Sequence, residues 1–153
     1  MRSIQSSVRY AIGIDAGAHT GLARWNVQDQ RIDVCLTQTF WETYEELCTS
    51  YLGIKSEVVI IIETPEGRLY KARNRAQKSK GVVDRMARNV GMNAREAALL
   101  AEGLERAGFD VRRRKPVAQK KWTIEYFRSL TGWTGKLTQH AVDAGRLCIG
   151  VNR

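Results

Sequence analysis

The chain has 153 residues, 43% of them hydrophobic and 27% charged, a composition typical of a globular protein. This length suits a single domain over residues 1–153 with room for a full core, and the net charge of +9 favours a polyanionic partner. A membrane span is not expected because the longest apolar run is Val58 to Ile62, and three scattered cysteines with two histidines exclude a zinc finger.

The first third of the chain predicts three strands. Val8–Asp15 and Gly21–Val27 are rich in β-branched and aromatic residues, and a turn separates them. Arg31–Thr37 alternates apolar and polar residues, as a half-buried strand does. Because the links between these strands are short, we expect them to be antiparallel neighbours.

A helix and a buried strand follow. Apolar residues at helical spacing predict a helix over Phe40–Leu52, and Gly53 ends it. Glu57–Glu63 contains the uninterrupted run Val-Val-Ile-Ile-Ile. Such a run is expected of a central strand that is covered on both faces.

The second half predicts a basic loop and mostly helices. Residues 66–80 carry many cations and no apolar stripe, which indicates a loop. Small and apolar residues predict a long helix over Val83–Ala107, with Gly91 as a candidate break. Phe109–Val111 begins a short fifth strand, and the last two helices are predicted around residues 122–130 and 137–149.

This order of elements predicts an α/β fold with a mixed five-stranded sheet and helices on both faces. In such a sheet the first and fourth strands can lie side by side. Asp15 and Glu63, which close those strands, would then emerge at the same end of the sheet.

Three acidic residues end otherwise apolar elements: Asp15, Glu63 and Asp143. Brought together, their carboxylates would form a hard oxygen site suited to Mg²⁺ or Mn²⁺. His140 lies three residues before Asp143 and shares its helical face. Taken singly, each also has an ordinary explanation. Asp15 fits a turn residue and Glu63 a charge at the surface end of a strand. Asp143 fits a solvated helix residue, and His140 a packed or capping histidine.

The positive charge is uneven. Residues 1–63 carry five Lys or Arg against eight Asp or Glu, whereas residues 64–153 carry twenty against eight. Clustered charge and a pI near 9.8 favour nucleic acid over a merely solvated surface. The basic candidates for DNA contact are Arg68, Lys71, Arg73, Arg75, Lys78, Lys80, Arg113, Lys115, Lys120 and Lys121. For residues 112–115 an equal alternative is an edge strand whose charged side chains prevent pairing with another chain.

Four segments in this order resemble the RuvC-type Holliday-junction resolvases of the ribonuclease H-like superfamily. They are Ile12-Gly-Ile-Asp15-Ala-Gly-Ala-His-Thr-Gly-Leu22, Ile60-Ile-Ile-Glu63, Val90-Gly-Met-Asn-Ala-Arg-Glu-Ala-Ala98 and His140-Ala-Val-Asp143-Ala-Gly-Arg-Leu147. The resemblance implies a ribonuclease H-like fold, a homodimer, and paired hydrolysis of four-way DNA junctions.

By the same resemblance, Asp15, Glu63 and Asp143 fall on metal-binding acids, and His140 on a position that is an aspartate in many members. Two Mg²⁺ ions about 4 Å apart would act in hydrolysis, with Mn²⁺ as a substitute. His140 would either ligate a metal or accept the proton of the attacking water. Aromatic residues before the long helix help open the junction in the family, and Tyr70 is the candidate here.

Three other functions stay open. One is a nuclease of the same fold that cuts other branched DNA, flaps or RNA–DNA hybrids. Another is an ATPase built on the first motif, although such folds normally need two domains. The third is a non-catalytic DNA-binding protein. The cysteine usage and the absence of a signal-like N-terminus predict a reducing, cytoplasmic compartment, either of a bacterium or of a virus-infected host cell.

Overall fold

The computed structural model describes residues 7–64, 80–116 and 119–152, with the side chains at 83, 87 and 90 excepted. Within these ranges the strands are β1 (Tyr10–Asp15), β2 (Thr20–Asn26), β3 (Arg31–Gln38), β4 (Val58–Glu63) and β5 (Asp110–Arg114). The helices are α1 (Phe40–Ser50), α2 (Lys80–Arg106), α3 (Ile124–Thr131) and α4 (Gln139–Cys148), and a 3₁₀ turn spans Lys55–Glu57. No helix of the described ranges is long and apolar enough to cross a membrane.

The predicted strands and helices are all present, with small shifts at their ends. The predicted basic loop over residues 66–80 lies outside the described residues, except for Lys80, which begins α2. The candidate break at Gly91 is wrong, because α2 is one uninterrupted helix. Gly91 is exposed there, and a single glycine costs a helix only about 1 kcal/mol relative to alanine. The long helix therefore continues through it.

The five strands form one mixed sheet in the order β3-β2-β1-β4-β5. β2 pairs with β1 and β3 in the antiparallel sense, whereas β4 is parallel to β1 and β5. The predicted α/β class and the neighbouring first and fourth strands are confirmed. Since Ile14 pairs with Ile62, the next residues, Asp15 and Glu63, leave the sheet at the same end.

The two faces of the sheet carry side chains of different size. On one face Ile12, Ile14, Ile60 and Ile62 are buried against α1 and α2. On the other face smaller residues, among them Ala11 and Ala23, lie beneath α3 and α4. This difference follows from the alternation of a strand such as Tyr-Ala-Ile-Gly-Ile-Asp, which sends successive side chains to opposite faces.

Two glycines let α4 rest on the backbone of the sheet. A Cβ atom at Gly13 would lie 1.9 Å from the carbonyl oxygen of Ala144. One at Gly21 would lie 1.9 Å from the carbonyl oxygen of His140. Any larger residue at either position would push α4 outward. The close approach therefore depends on glycine, and it sets the height of α4 above β1 and β2.

Local contacts fix the start and the middle of α4. Thr138 is the N-cap, and its hydroxyl accepts a hydrogen bond from the amide of Ala141. The hydroxyl of Thr37 on β3 bonds to the hydroxyl of Thr138, which ties this cap to the sheet. Phe127 of α3 is fully buried and packs on Gly145. The helix is thus held across the sheet at both points.

The cysteines do not supply a reactive thiol in the core. Cys35, Cys48 and Cys148 are all free, and Cys35 and Cys148 are buried. Burial raises the pKa of both buried thiols to about 12. Because the thiolate is the nucleophilic form, these two groups are inert at neutral pH.

Candidate metal and nucleic-acid site

Three carboxylates from three separate elements line one open groove at an end of the sheet. Asp15 comes from the end of β1, Glu63 from the end of β4 and Asp143 from the second turn of α4. The groove has a volume of about 480 Å³. Its lining residues are Asp15, Glu63, Arg114, Pro116, Gln119, Lys121, Trp122, Asp143, Arg146 and Leu147. The sheet register and the close approach of α4 together produce this arrangement.

His140 contacts the first of these acids directly. Its Nδ1 atom lies 2.9 Å from Oδ2 of Asp15, and about half of the His140 side chain is exposed. The His140 ring lies on a second cavity of about 420 Å³, which Asp15, His19 and Glu96 also line. Within the described residues, Oε2 of Glu96 is buried and has no hydrogen-bond partner. Asp15 thus has the groove on one side and a histidine-lined cavity on the other.

The carboxylate of Asp15 is held in an unfavourable environment. Burial is the main cause that raises its pKa, and the negative charge of Asp143 raises it further. The hydrogen bond and charge of His140 and the charge of Lys121 act in the opposite direction. A partly buried carboxylate of this kind is stabilised by any added positive charge in the groove.

Among the cations that line the groove, Lys121 is paired directly with one of the acids. Its Nζ atom lies 2.9 Å from Oδ2 of Asp143, while Gln139 donates to Oδ1 of the same carboxylate. The pKa of Lys121 is raised, chiefly by this bond to Asp143 and then by the charges of Asp15 and Glu63. Sequence reasoning assigned Lys121 to DNA contact. The structure places it among the three acids.

The acids share a groove, but they do not converge on a single point. In the part of the chain that is described, no three His, Cys, Asp or Glu side chains are close enough to hold one ion. The ammonium of Lys121 bonds to Asp143, and the charges of Asp15 and Glu63 also raise its pKa. The donor set is nevertheless the oxygen-rich one that Mg²⁺ and Mn²⁺ prefer. A divalent cation at Asp143 would have to displace Lys121.

The basic residues predicted to contact DNA lie in several places. Lys80, the first residue of α2, and Lys115 and Lys120 are exposed. Arg113 forms a two-bond ion pair with Glu105 of α2 and does not line the groove. Six candidates lie outside the described residues: Arg68, Tyr70, Lys71, Arg73, Arg75 and Lys78.

Sequence reasoning missed three residues that line the groove: Arg114, Trp122 and Arg146. Arg114 is the register partner of Glu63. Because successive side chains of a strand point to opposite faces, Arg114 lies on the other face of β5 from Arg113. The sequence indicates this only if β5 is extended to Arg114, its last residue. Arg146 lies three residues after Asp143 on α4, so helical spacing alone would have placed the two side chains together.

Comparisons with known proteins identify no relative. No protein-family model, no curated protein and no solved structure matches this chain.

Proposed function

We propose that this protein is a divalent-metal-dependent endonuclease of ribonuclease H-like fold that resolves four-way DNA junctions by paired cuts. The observation that carries the proposal is the common groove of Asp15, Glu63 and Asp143. The three residues come from different elements, and the chain around them has a net charge of +9. Clustered acids on a strongly basic protein suit the cleavage of a polyanion, because bound cations can sit between the acids and a phosphate.

Each side chain has a chemical task in this proposal. When bound, divalent cations would activate water and neutralise the charge that develops on the phosphate. Asp15, Glu63 and Asp143 would hold them, and Lys121 would leave Asp143 and become available to phosphate. While Asp15 is ionised it accepts a hydrogen bond from Nδ1 of His140. This leaves Nε2 of the neutral ring free to accept a proton or to bind a cation.

The homodimer belongs to the same proposal. Two symmetric cuts in a junction need two sites related by a two-fold axis. The inner side of α2 packs on the sheet through Ala97, Leu100 and Leu104. Elsewhere on α2, Leu99 is 47% exposed, and Met92, which also lines the cavity beside Asp15, is 61% exposed. These two residues are available to a second copy of the chain.

A second candidate function is a non-catalytic DNA-binding protein. The contact between Lys121 and Asp143 favours it, because an acid already paired with an ammonium needs no metal. The two candidates differ in one consequence. Only the nuclease requires the charge of Asp15 for a divalent-metal-dependent break in DNA.

The test is cleavage of a synthetic four-way junction with Mg²⁺, with Mn²⁺ and with EDTA, together with flap, duplex and RNA–DNA hybrid substrates. We expect paired nicks in the junction with either metal and none with EDTA. Asp15→Asn should bind the junction but not cut it. Asp110→Asn is the matched control, because Asp110 opens β5 at the opposite end of the sheet. Nicking that survives in Asp15→Asn, or no cleavage of any substrate with either metal, would refute the nuclease.

A further inference from the structure

The carboxylate groove has a cationic and aromatic side next to β5. Arg114, Arg146 and Trp122 line it. We propose that these residues form a nucleotide subsite, in which the two guanidinium groups hold the phosphate next to the one that is cut and Trp122 stacks on its unpaired base. The subsite rests on the nuclease function proposed above. The subsite adds a feature of the substrate to that function: the protein would select a DNA strand that has an unpaired nucleotide beside the cut.

Arg114 lies beside one of the acids and still has donors to spare. It is the last residue of β5 and the register partner of Glu63, so the two backbones are about 4.8 Å apart. Its Nη1 atom donates to the carbonyl oxygen of Leu147 at 3.4 Å. None of the ion pairs between described residues includes Arg114. A guanidinium carries five N–H donors, so most remain for a phosphate.

Arg146 is held in position by neutral acceptors. Its Nη1 atom donates to the carbonyl oxygen of Lys120 at 3.4 Å, and its Nη2 atom donates to Oε1 of Gln119 at 3.1 Å. The guanidinium also lies 5.9 Å from the centre of the Trp122 ring. These contacts orient the side chain without cancelling its charge. A guanidinium held by neutral acceptors keeps its full charge and matches the geometry of a phosphate.

Trp122 supplies a surface for a base. The indole lines the groove and meets Tyr126 edge-on, with ring centroids 5.4 Å apart. Trp122 is partly buried against the core beneath α3 and α4, and the rest of its surface borders the groove. Aromatic rings and guanidinium planes stack on any nucleobase, but only on one that has left its own helical stack. The subsite therefore favours the open nucleotides of a branch point, without reading sequence.

The binding test uses the full chain carrying Asp15→Asn in EDTA, so that no cleavage occurs. Fluorescence anisotropy follows a labelled four-way junction over a range of salt. We expect Arg114→Gln and Arg146→Gln each to weaken binding about tenfold. Each should also reduce the slope of log affinity against log salt by about 0.7–0.9. The control is Arg106→Gln, because Arg106 ends α2 at the opposite end of the sheet and pairs with Glu102.

The stacking step is tested on the DNA, so that folding is not perturbed. Replacing the branch-point nucleotides by abasic sites should weaken binding by at least about fivefold. The same replacement should weaken the binding of Trp122→Leu less than that of the chain with Trp122. Thermal unfolding checks that this variant is folded. Undiminished sensitivity of Trp122→Leu to abasic sites would overturn the stacking.

The outcomes separate the subsite from the nuclease. If Arg114→Gln and Arg146→Gln bind as Arg106→Gln does, the subsite is wrong, even where the wild-type chain cuts junctions with Mg²⁺. If both variants lose affinity as expected but the wild-type chain cuts nothing with Mg²⁺ or Mn²⁺, the nuclease fails, and what stands is a nucleotide-binding site with no cut beside it. If the arginines served only to neutralise the acids, their loss would lower thermal stability and leave the salt slope unchanged.

Discussion

Gly21→Ala tests how the groove is assembled, because it removes no charged or polar side chain. The new Cβ atom would lie 1.9 Å from the carbonyl oxygen of His140, whereas ordinary contact begins at 3.4 Å. To relieve the clash, the first turn of α4 must move outward by about 1.5 Å. The obstacle is backbone, so no side-chain rotation can avoid the movement.

The displacement has two measurable costs. Forcing an atom into packed structure costs about 1–3 kcal/mol, and a rigid backbone obstacle places this change near the upper end. For a chain of this size the melting temperature should fall by roughly 6–12 °C. The contact between His140 and Asp15 is 2.9 Å and would lengthen to about 4 Å, beyond hydrogen-bond range. If the groove is a catalytic site, activity should fall about 100-fold.

The assay combines thermal unfolding followed by circular dichroism with junction cleavage at a temperature where the variant is folded. Gly91→Ala is the matched control, because a Cβ at Gly91 meets nothing within 4 Å. It should stabilise α2 by about 0.5–1 kcal/mol and leave cleavage unchanged. A Gly21→Ala protein as stable and as active as Gly91→Ala would show that α4 does not position the groove.

Three further predictions concern single side chains. Asp15→Asn should raise the free energy of unfolding in urea at neutral pH, because burial holds the pKa of Asp15 above 3.8. The Asp15 carboxylate binds its proton more tightly in the folded than in the unfolded protein. The stability gained by Asp15→Asn over the wild type should therefore shrink as the pH falls and vanish below 3.8. A gain in stability that does not depend on pH would contradict this. Lys121→Met should gain more thermal stability from Mg²⁺ than the wild type does, with Lys136→Met as control; equal gains would mean that the ammonium and the cation do not compete. Phe127→Ala should lower the free energy of unfolding in urea by about 3–5 kcal/mol, and Phe127→Leu should lower it clearly less. A loss below 1 kcal/mol for Phe127→Ala would contradict the packing of α3 in the core.

Periodicity and turn residues were sufficient to predict the elements and the pairing of the first and fourth strands. The run Val58 to Ile62 is typical of a covered strand, and the position of this strand beside β1 brings Asp15 next to Glu63. Asp143 shares a predicted helical face with His140, and the family resemblance implied that it lies with the other two acids. The elements and the strand pairing depend on local pattern and connection rules, which a single sequence carries.

The details of the site depend on three-dimensional neighbours and were not readable in this way. Lys121 stands in no regular element, so nothing in its spacing indicates that its ammonium reaches Asp143. Arg113 and Arg114 are adjacent and chemically identical, and only the exact extent of β5 decides which one faces the groove. The roles of Gly13 and Gly21 become visible only when α4 is seen against their backbone.

The most direct test of the carboxylate groove is a titration of the protein with Mn²⁺, followed by electron paramagnetic resonance. The wild-type chain should bind Mn²⁺, and Asp15→Asn, Glu63→Gln and Asp143→Asn should each weaken that binding, while Asp110→Asn should not. Mn²⁺ binding that is absent from the wild type, or unaffected by all three substitutions, would contradict a metal site between β1, β4 and α4.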